Sequence, residues 1–263
     1  MSFTARDVDR HMRRIGPYVD FSATCDTFKS GDPDTGVKGV AVSWMSTTAA
    51  LRNAHDRGCN LFITHEPTFY AHMDDDPAFD QDACTREKRA FLDQTGMVVY
   101  RCHDVWDRFP GEGILDSWAA CLGLTAPAVA NEAFMRVVPI EPTSAGEWAR
   151  EVARRVKPFG QEAVLLVGDP EQRVSRVGIG TGAIASGRDY VRMDADVGIV
   201  TELIWWREAR WFQDMGVPLL VVDHTVSEEP GIINLASYLR RVFEGARVEY
   251  IPTHCPFRLI HAT

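Results

Sequence analysis

The strongest constraint on the fold is an alternation of short apolar runs with helical patterns, repeated along the 263 residues. Val37–Met45 is apolar and reads as a buried strand. Ser46-Thr47-Thr48 offers hydroxyls to cap a helix over Ala49–Arg57, and Gly58 fits the position just past its end. Asn60–Thr64 is the next strand. A strand, a helix and a strand at this spacing make a βαβ unit, which implies a parallel pair. The alternation continues with helix Thr85–Thr95, strand Met97–Cys102 and helix Glu112–Leu122. A second series follows: strand Ala133–Ile140, helix Ser144–Val156, strands Ala163–Val167, Val174–Gly180 and Val197–Val200, helix Leu203–Met215, strand Val217–Asp223, helix Ile232–Phe243 and strand Val248–Ile251. Asp7–Tyr18 carries a weaker helical pattern, and the Asp-rich Met73–Asp82 reads as a loop. The class predicted is α/β, with two intertwined lobes and mainly parallel sheets. The Ala-, Pro- and Asn-rich stretch Thr125–Asn131 marks the lobe boundary, giving residues 1–126 with 224–263 and residues 127–223.

Charge and cysteine usage narrow the function. The net charge of −9, from 37 acidic against 28 basic side chains, makes a field that disfavours nucleic acid and anionic lipid as partners. No stretch approaches the roughly 20 apolar residues that cross a bilayer. The N-terminus, Met1-Ser2-Phe3-Thr4-Ala5-Arg6-Asp7, lacks the apolar core of a signal peptide. Cys25, Cys59, Cys84, Cys102, Cys121 and Cys255 are scattered, with no C-x-x-C pair, so they read as reduced thiols. A cytoplasmic protein is expected.

Three apolar runs each end in a segment bearing histidine and carboxylate: Thr64-His65-Glu66, His103-Asp104-Val105-Trp106-Asp107, and His224-Thr225-Val226-Ser227-Glu228. Read singly, each has an ordinary explanation. His65 can simply end a strand, and Asp107 or Asp104 can cap a turn before Phe109-Pro110. Ser227, Glu228 and Glu229 can cap the next helix, with Pro230 at its start, which would leave His224 to Glu228 as a curled loop. Taken together, three groups of nitrogen and oxygen donors at strand ends, where open α/β sheets bind ligands, point to a divalent-metal site. His103 can serve as a group that orients a carboxylate.

Two other features are weaker. Gly178-Ile179-Gly180-Thr181-Gly182 lacks a full G-x-G-x-x-G and reads as a tight turn. Trp205, Trp206 and Trp211, with Phe212, read as core or as a subunit interface.

The chain resembles the Nif-three-like dinuclear-metal hexameric proteins, often labelled GTP cyclohydrolase I type 2 homologues. The likeness is clearest in Gly31-Asp32-Pro33 with Val37-Lys38-Gly39-Val40, in Gly58 to His65, in His103 to Asp107 and in Asp223-His224 to Glu228. The resemblance implies metal ligands at His65, Asp107, His224 and Glu228, with Glu66 in the place of a second histidine, and a homohexamer holding two metals per subunit. Thr201 and Glu202 stand where the family has pocket residues, and Arg207 where it has a further histidine. A carboxylate at Glu66 favours Mn²⁺ or Mg²⁺ over zinc, so Glu66→His is expected to strengthen zinc binding.

Two function classes follow. One is a metal-dependent hydrolase of a small molecule, a nucleotide or phosphoester for example, with Glu66 as ligand or general base. The other is a non-enzymatic metal-binding scaffold or regulatory protein. The ion, whether Mn, Fe, Zn or Mg, is left open.

Overall fold

The first helix is fixed by its own ends. In α1 (Ala5–Ile15) the Thr4 hydroxyl accepts from the Asp7 backbone while the Asp7 carboxylate accepts from the Thr4 backbone, so two otherwise orphaned N–H groups are satisfied. A computed structural model describes residues 3–183, 186–202 and 206–261. Leu203 and Trp205, included in the expectations above, lie outside the described residues. The chain then runs through β1 (Phe28–Ser30), β2 (Val40–Ser43), α2 (Thr48–Asp56), β3 (Leu61–Thr64), α3 (Pro77–Asp80), α4 (Ala83–Thr95), β4 (Val98–Arg101) and the single turn α5 (Asp104–Asp107). Thr47 caps α2 through its hydroxyl, and Gly58 takes the left-handed φ of 70° beyond it, as the sequence signals require. The Asp-rich segment is not all loop, since Asp76 caps α3 within it.

A second series follows: α6 (Ile114–Cys121), β5 (Ala130–Asn131), β6 (Met135–Ser144), α7 (Ala145–Val156), β7 (Leu165–Val167), β8 (Arg173–Gly180), α8 (Gly187–Arg192), β9 (Val197–Val200), α9 (Trp206–Met215) and β10 (Leu219–Val221). Helix α10 (His224–Val242) and β11 (Val248–Tyr250) close the chain.

Contacts divide the chain into two units, Met1–Gly113 with Ile232–Thr253 and Ile114–Gly231 with His254–Thr263. The division falls at Gly113/Ile114 rather than at residue 126, because α6 buries Leu115, Trp118 and Ala119 among Val152, Val177 and Ile199 of the second unit. It falls within α10 rather than before His224.

In the first unit the strand order is β1-β4-β3-β2-β11. Strands β4, β3, β2 and β11 run parallel and β1 is antiparallel to β4. Every residue of β2, β3 and β4 is buried, which explains why these strands read as continuous apolar runs. In the second unit the order is β5-β6-β8-β9-β10-β7, with β8, β9 and β10 parallel at the centre and antiparallel neighbours outside them.

Two sequence readings are corrected here. Gly178 and Gly180 belong to β8 rather than to a turn. Gly178 is needed for packing, since a Cβ there would lie 2.6 Å from the ring of Tyr190. Helix α10 begins at His224 and runs through Pro230, so the segment before the proline is helix rather than curled loop. A proline inside a helix forfeits one backbone hydrogen bond. The burial of Val226, Ser227, Glu228 and Glu229 holds the helical path regardless. On α9, Phe212 is buried, Trp211 packs partly against the core and Trp206 is exposed.

Candidate metal centre

The first unit gathers its donors at the ends of β3 and β4. His65 follows β3 directly and is fully buried. Its Nδ1 lies 3.1 Å from the carbonyl of Cys102, the residue after β4. A carbonyl only accepts, so Nδ1 carries the ring proton. Nε2 then faces Asp107 Oδ1 at 3.4 Å. Asp107 closes α5, and its Oδ1 is buried with no hydrogen-bond partner among the described residues.

His103, expected as an orienting group, stands beside them. Its ring stacks on that of His65 with centroids 4.6 Å apart. Nδ1 is 2.9 Å from Asp104 Oδ1 and 3.7 Å from Asp107 Oδ2, and Nε2 is 3.9 Å from Glu66 Oε1. Burial opposes a charge on His103, yet Asp107, Asp104, Cys25 and Glu66 outweigh it and raise its pKa well above the usual value. Asp104 moves the other way. Burial would raise its pKa, but hydrogen bonds from His103 and Thr24 hold it below the ordinary carboxylate range.

Sequence reasoning missed three residues of this region. Asp26 is buried and accepts from the backbone N–H of His103, Asp104 and Val105 at 2.7, 2.8 and 3.0 Å, which sets the turn that carries Asp107. Cys25 places its Sγ 3.6 Å from Asp104 Oδ1. Arg101, wholly buried, has Nη2 3.5 Å from Glu66 Oε2. No periodicity or motif marks any of them; they are found only once the chain is folded.

The second unit repeats the pattern of the first. His224 and Glu228, four apart, share one face of α10, with His224 Nε2 3.1 Å from Glu228 Oε1. His224 Nδ1 lies 2.6 Å from Glu202 Oε1. Both ring nitrogens of His224 thus face carboxylates, and the contact to Glu202 is the shorter. Thr201, the other expected pocket residue, donates from its hydroxyl to the carbonyl of Gly182 at 2.5 Å. Gly182 has a φ of +46°, and a Cβ there would lie 2.9 Å from His224 Nε2 and 3.1 Å from Glu228 Oε1. The glycine is required on both counts, conformation and space.

These residues fit a divalent cation. Each histidine has one nitrogen committed to an acceptor and the other turned to a carboxylate, an arrangement that orients metal-ligating imidazoles. In the first unit Asp104, Asp107 and Glu66 all bring a carboxylate oxygen within 3.9 Å of the His103 ring nitrogens, a crowding of acidic groups that a bound cation would relieve. His65, His103 and Asp107 present ligand atoms within 4.8 Å of one another, as do Cys25, His103 and Asp104.

The sequence model of the Duf34/NIF3 (NGG1p interacting factor 3) family matches residues 20–256. The chain belongs to the Duf34/NIF3 family. Solved structures with a similar fold include the Bacillus cereus protein related to NIF3, at 13% identity, 98% of this chain, 99% of that one and a TM-score of 0.82. Staphylococcus aureus hypothetical protein SA1388 is similar at 19% identity, 98% and 99% coverage and a TM-score of 0.81. Reduced HcgD from Methanocaldococcus jannaschii is similar at 16% identity, 95% and 98% coverage and a TM-score of 0.73. At such identities the likeness establishes the NIF3 fold. No curated protein matches the chain. Among the described residues, no helix is long and apolar enough to cross a membrane.

Proposed function

We propose that this NIF3-family protein is a metal-dependent hydrolase with a di-metal centre, acting on a small molecule such as a nucleotide or another phosphoester. The observation that carries the reading is Asp107 Oδ1, buried without a hydrogen-bond partner among the described residues and turned toward His65 Nε2. His65 and Asp107 are the ligands assigned to the first unit, and His224 and Glu228 those assigned to the second. Glu66 is a further ligand or the general base. Bound ions would supply Lewis acidity, lowering the pKa of a water and stabilising a developing oxyanion. The chain's own residues prepare the donors. The Cys102 carbonyl keeps the ring proton of His65 on Nδ1, and Glu202 holds the His224 ring through its Nδ1. His103 lies beside Asp107 and Glu66, placed to exchange a proton with a reacting group.

The reading includes a homohexamer with two ions per subunit and a place in the cytoplasm, where free cysteines such as Cys84 stay reduced. Screening against phosphoesters, nucleotides including GTP, and amides, with Mn²⁺, Zn²⁺ or Fe²⁺ added, tests it. Turnover that His65→Ala abolishes supports the hydrolase. Turnover indifferent to that change contradicts catalysis here. Stoichiometric metal without turnover of any substrate favours the non-enzymatic scaffold.

A further inference from the structure

Arg101 connects the parts of the first unit's donor set. It ends β4 and is fully buried. Its Nε donates to the carbonyl of His65 at 2.8 Å, and another guanidinium nitrogen donates to the carbonyl of His72. Nη2 reaches Glu66 Oε2 at 3.5 Å. One side chain therefore grips the backbone of His65, the loop beyond it, and the carboxylate of Glu66. A guanidinium stripped of water is costly unless a carboxylate stands opposite, and Glu66 supplies that counter-charge. The planar fork of arginine also fixes direction, as a lysine would not.

We propose that Arg101 is the positioning residue of the His65–Glu66 exit, and that the Arg101–Glu66 pair sets which ions the first unit accepts. The inference rests on the metal-binding reading given above. Part of the Glu66 charge is already balanced by Arg101, so the carboxylate adds less negative charge to the centre than its formal −1 suggests. Replacing Glu66 by histidine would remove the carboxylate that faces the buried Arg101 cation just where a divalent cation arrives. On this proposal Glu66→His weakens zinc binding, against the expectation from ligand type alone. That exchange succeeds only when the charge of Arg101 is removed as well.

Calorimetric titration of the metal-free protein with Zn²⁺ and with Mn²⁺ tests the pair, using wild type, E66H, R101Q and E66H/R101Q. Glutamine keeps a donor for one carbonyl without the charge. E66H is expected to bind Zn²⁺ at least about tenfold more weakly than wild type. E66H/R101Q is expected to regain wild-type affinity or better, and to shift the Zn²⁺ to Mn²⁺ ratio toward zinc. Tighter Zn²⁺ binding by E66H alone would overturn the inference and leave the metal reading standing. A wild-type protein that binds neither ion would overturn both. Loss of Arg101 can unfold the chain, so E66Q provides a separate arm. Its metal-free melting temperature is expected to fall, because Arg101 loses its partner. A rise would show that Glu66 sits only among like charges, and would overturn the pairing.

Discussion

Nε2 of His65 stands 3.4 Å from Oδ1 of Asp107, and the proton that could bridge them is held on the far side of the ring by the carbonyl of Cys102. Two acceptors facing each other inside a protein call for a cation between them. A second proton on His65 would satisfy the contact, and so would a metal ion. Asp107→Asn separates these states. In metal-free protein the amide can donate to Nε2, which offsets the lost attraction to His103 3.7 Å away, so stability should stay within about 1 kcal/mol of wild type. Metal affinity should fall by a factor of about ten or more. Thermal melting with and without added metal checks both effects.

Gly182 lets the backbone lie against the His224–Glu228 pair. Gly182→Ala forces a side chain into a left-handed conformation and within 3.1 Å of both donors. Destabilisation of about 1–2 kcal/mol is expected. A loss of metal by the second unit larger than the loss of stability explains should accompany it. Denaturant titration beside metal analysis provides the comparison.

Asp26 ties down the turn that presents His103 and Asp107. Asp26→Ala leaves three backbone N–H groups without their acceptor. A cost of about 2–4 kcal/mol is expected, together with weaker metal binding although no ligand has been touched. Asp26→Asn, which keeps one acceptor oxygen, should lie between alanine and wild type.

Lys88 gives a pH signature away from the metal ligands. Its Nζ donates to the carbonyl of Thr68 and lies 4.3 Å from the centroid of the Tyr70 ring. Burial lowers its pKa from 10.5 to about 8. Between these values the unfolded chain binds more protons than the folded one, so this group's contribution to stability rises with pH. Wild type should gain up to about 3 kcal/mol relative to Lys88→Met between pH 8 and 10.5. Urea unfolding of both proteins across that range measures the difference.

Much of this architecture is legible in the sequence because local signals agree with the fold. Thr47 and Gly58 bracket α2 as helix-end chemistry requires, and β2, β3 and β4 read as apolar because both faces are covered. Histidine beside carboxylate at the ends of apolar runs is enough to single out His65, His103, Asp107, His224 and Glu228. The residues that carry no such signal depend on contacts distant in sequence. Arg101 reads as the polar end of a strand, and only folding shows that it reaches Glu66, 35 residues back. Asp26 lies 77 residues from the first backbone group it caps. The start of α10 is hidden because Pro230 resembles a first-turn proline, whereas burial of the preceding turn outweighs the lost hydrogen bond. Gly178 and Gly180 resemble a turn because a sequence does not show that Tyr190 packs against Gly178 in a strand.

Metal content per chain, measured by elemental analysis on protein purified without chelator, tests the central claim most directly. The account expects about two divalent ions per chain, reduced by His65→Ala and by His224→Ala in folded protein. Metal-free wild-type protein that also fails to take up Mn²⁺, Zn²⁺ or Fe²⁺, or metal fully retained in both variants, would contradict it.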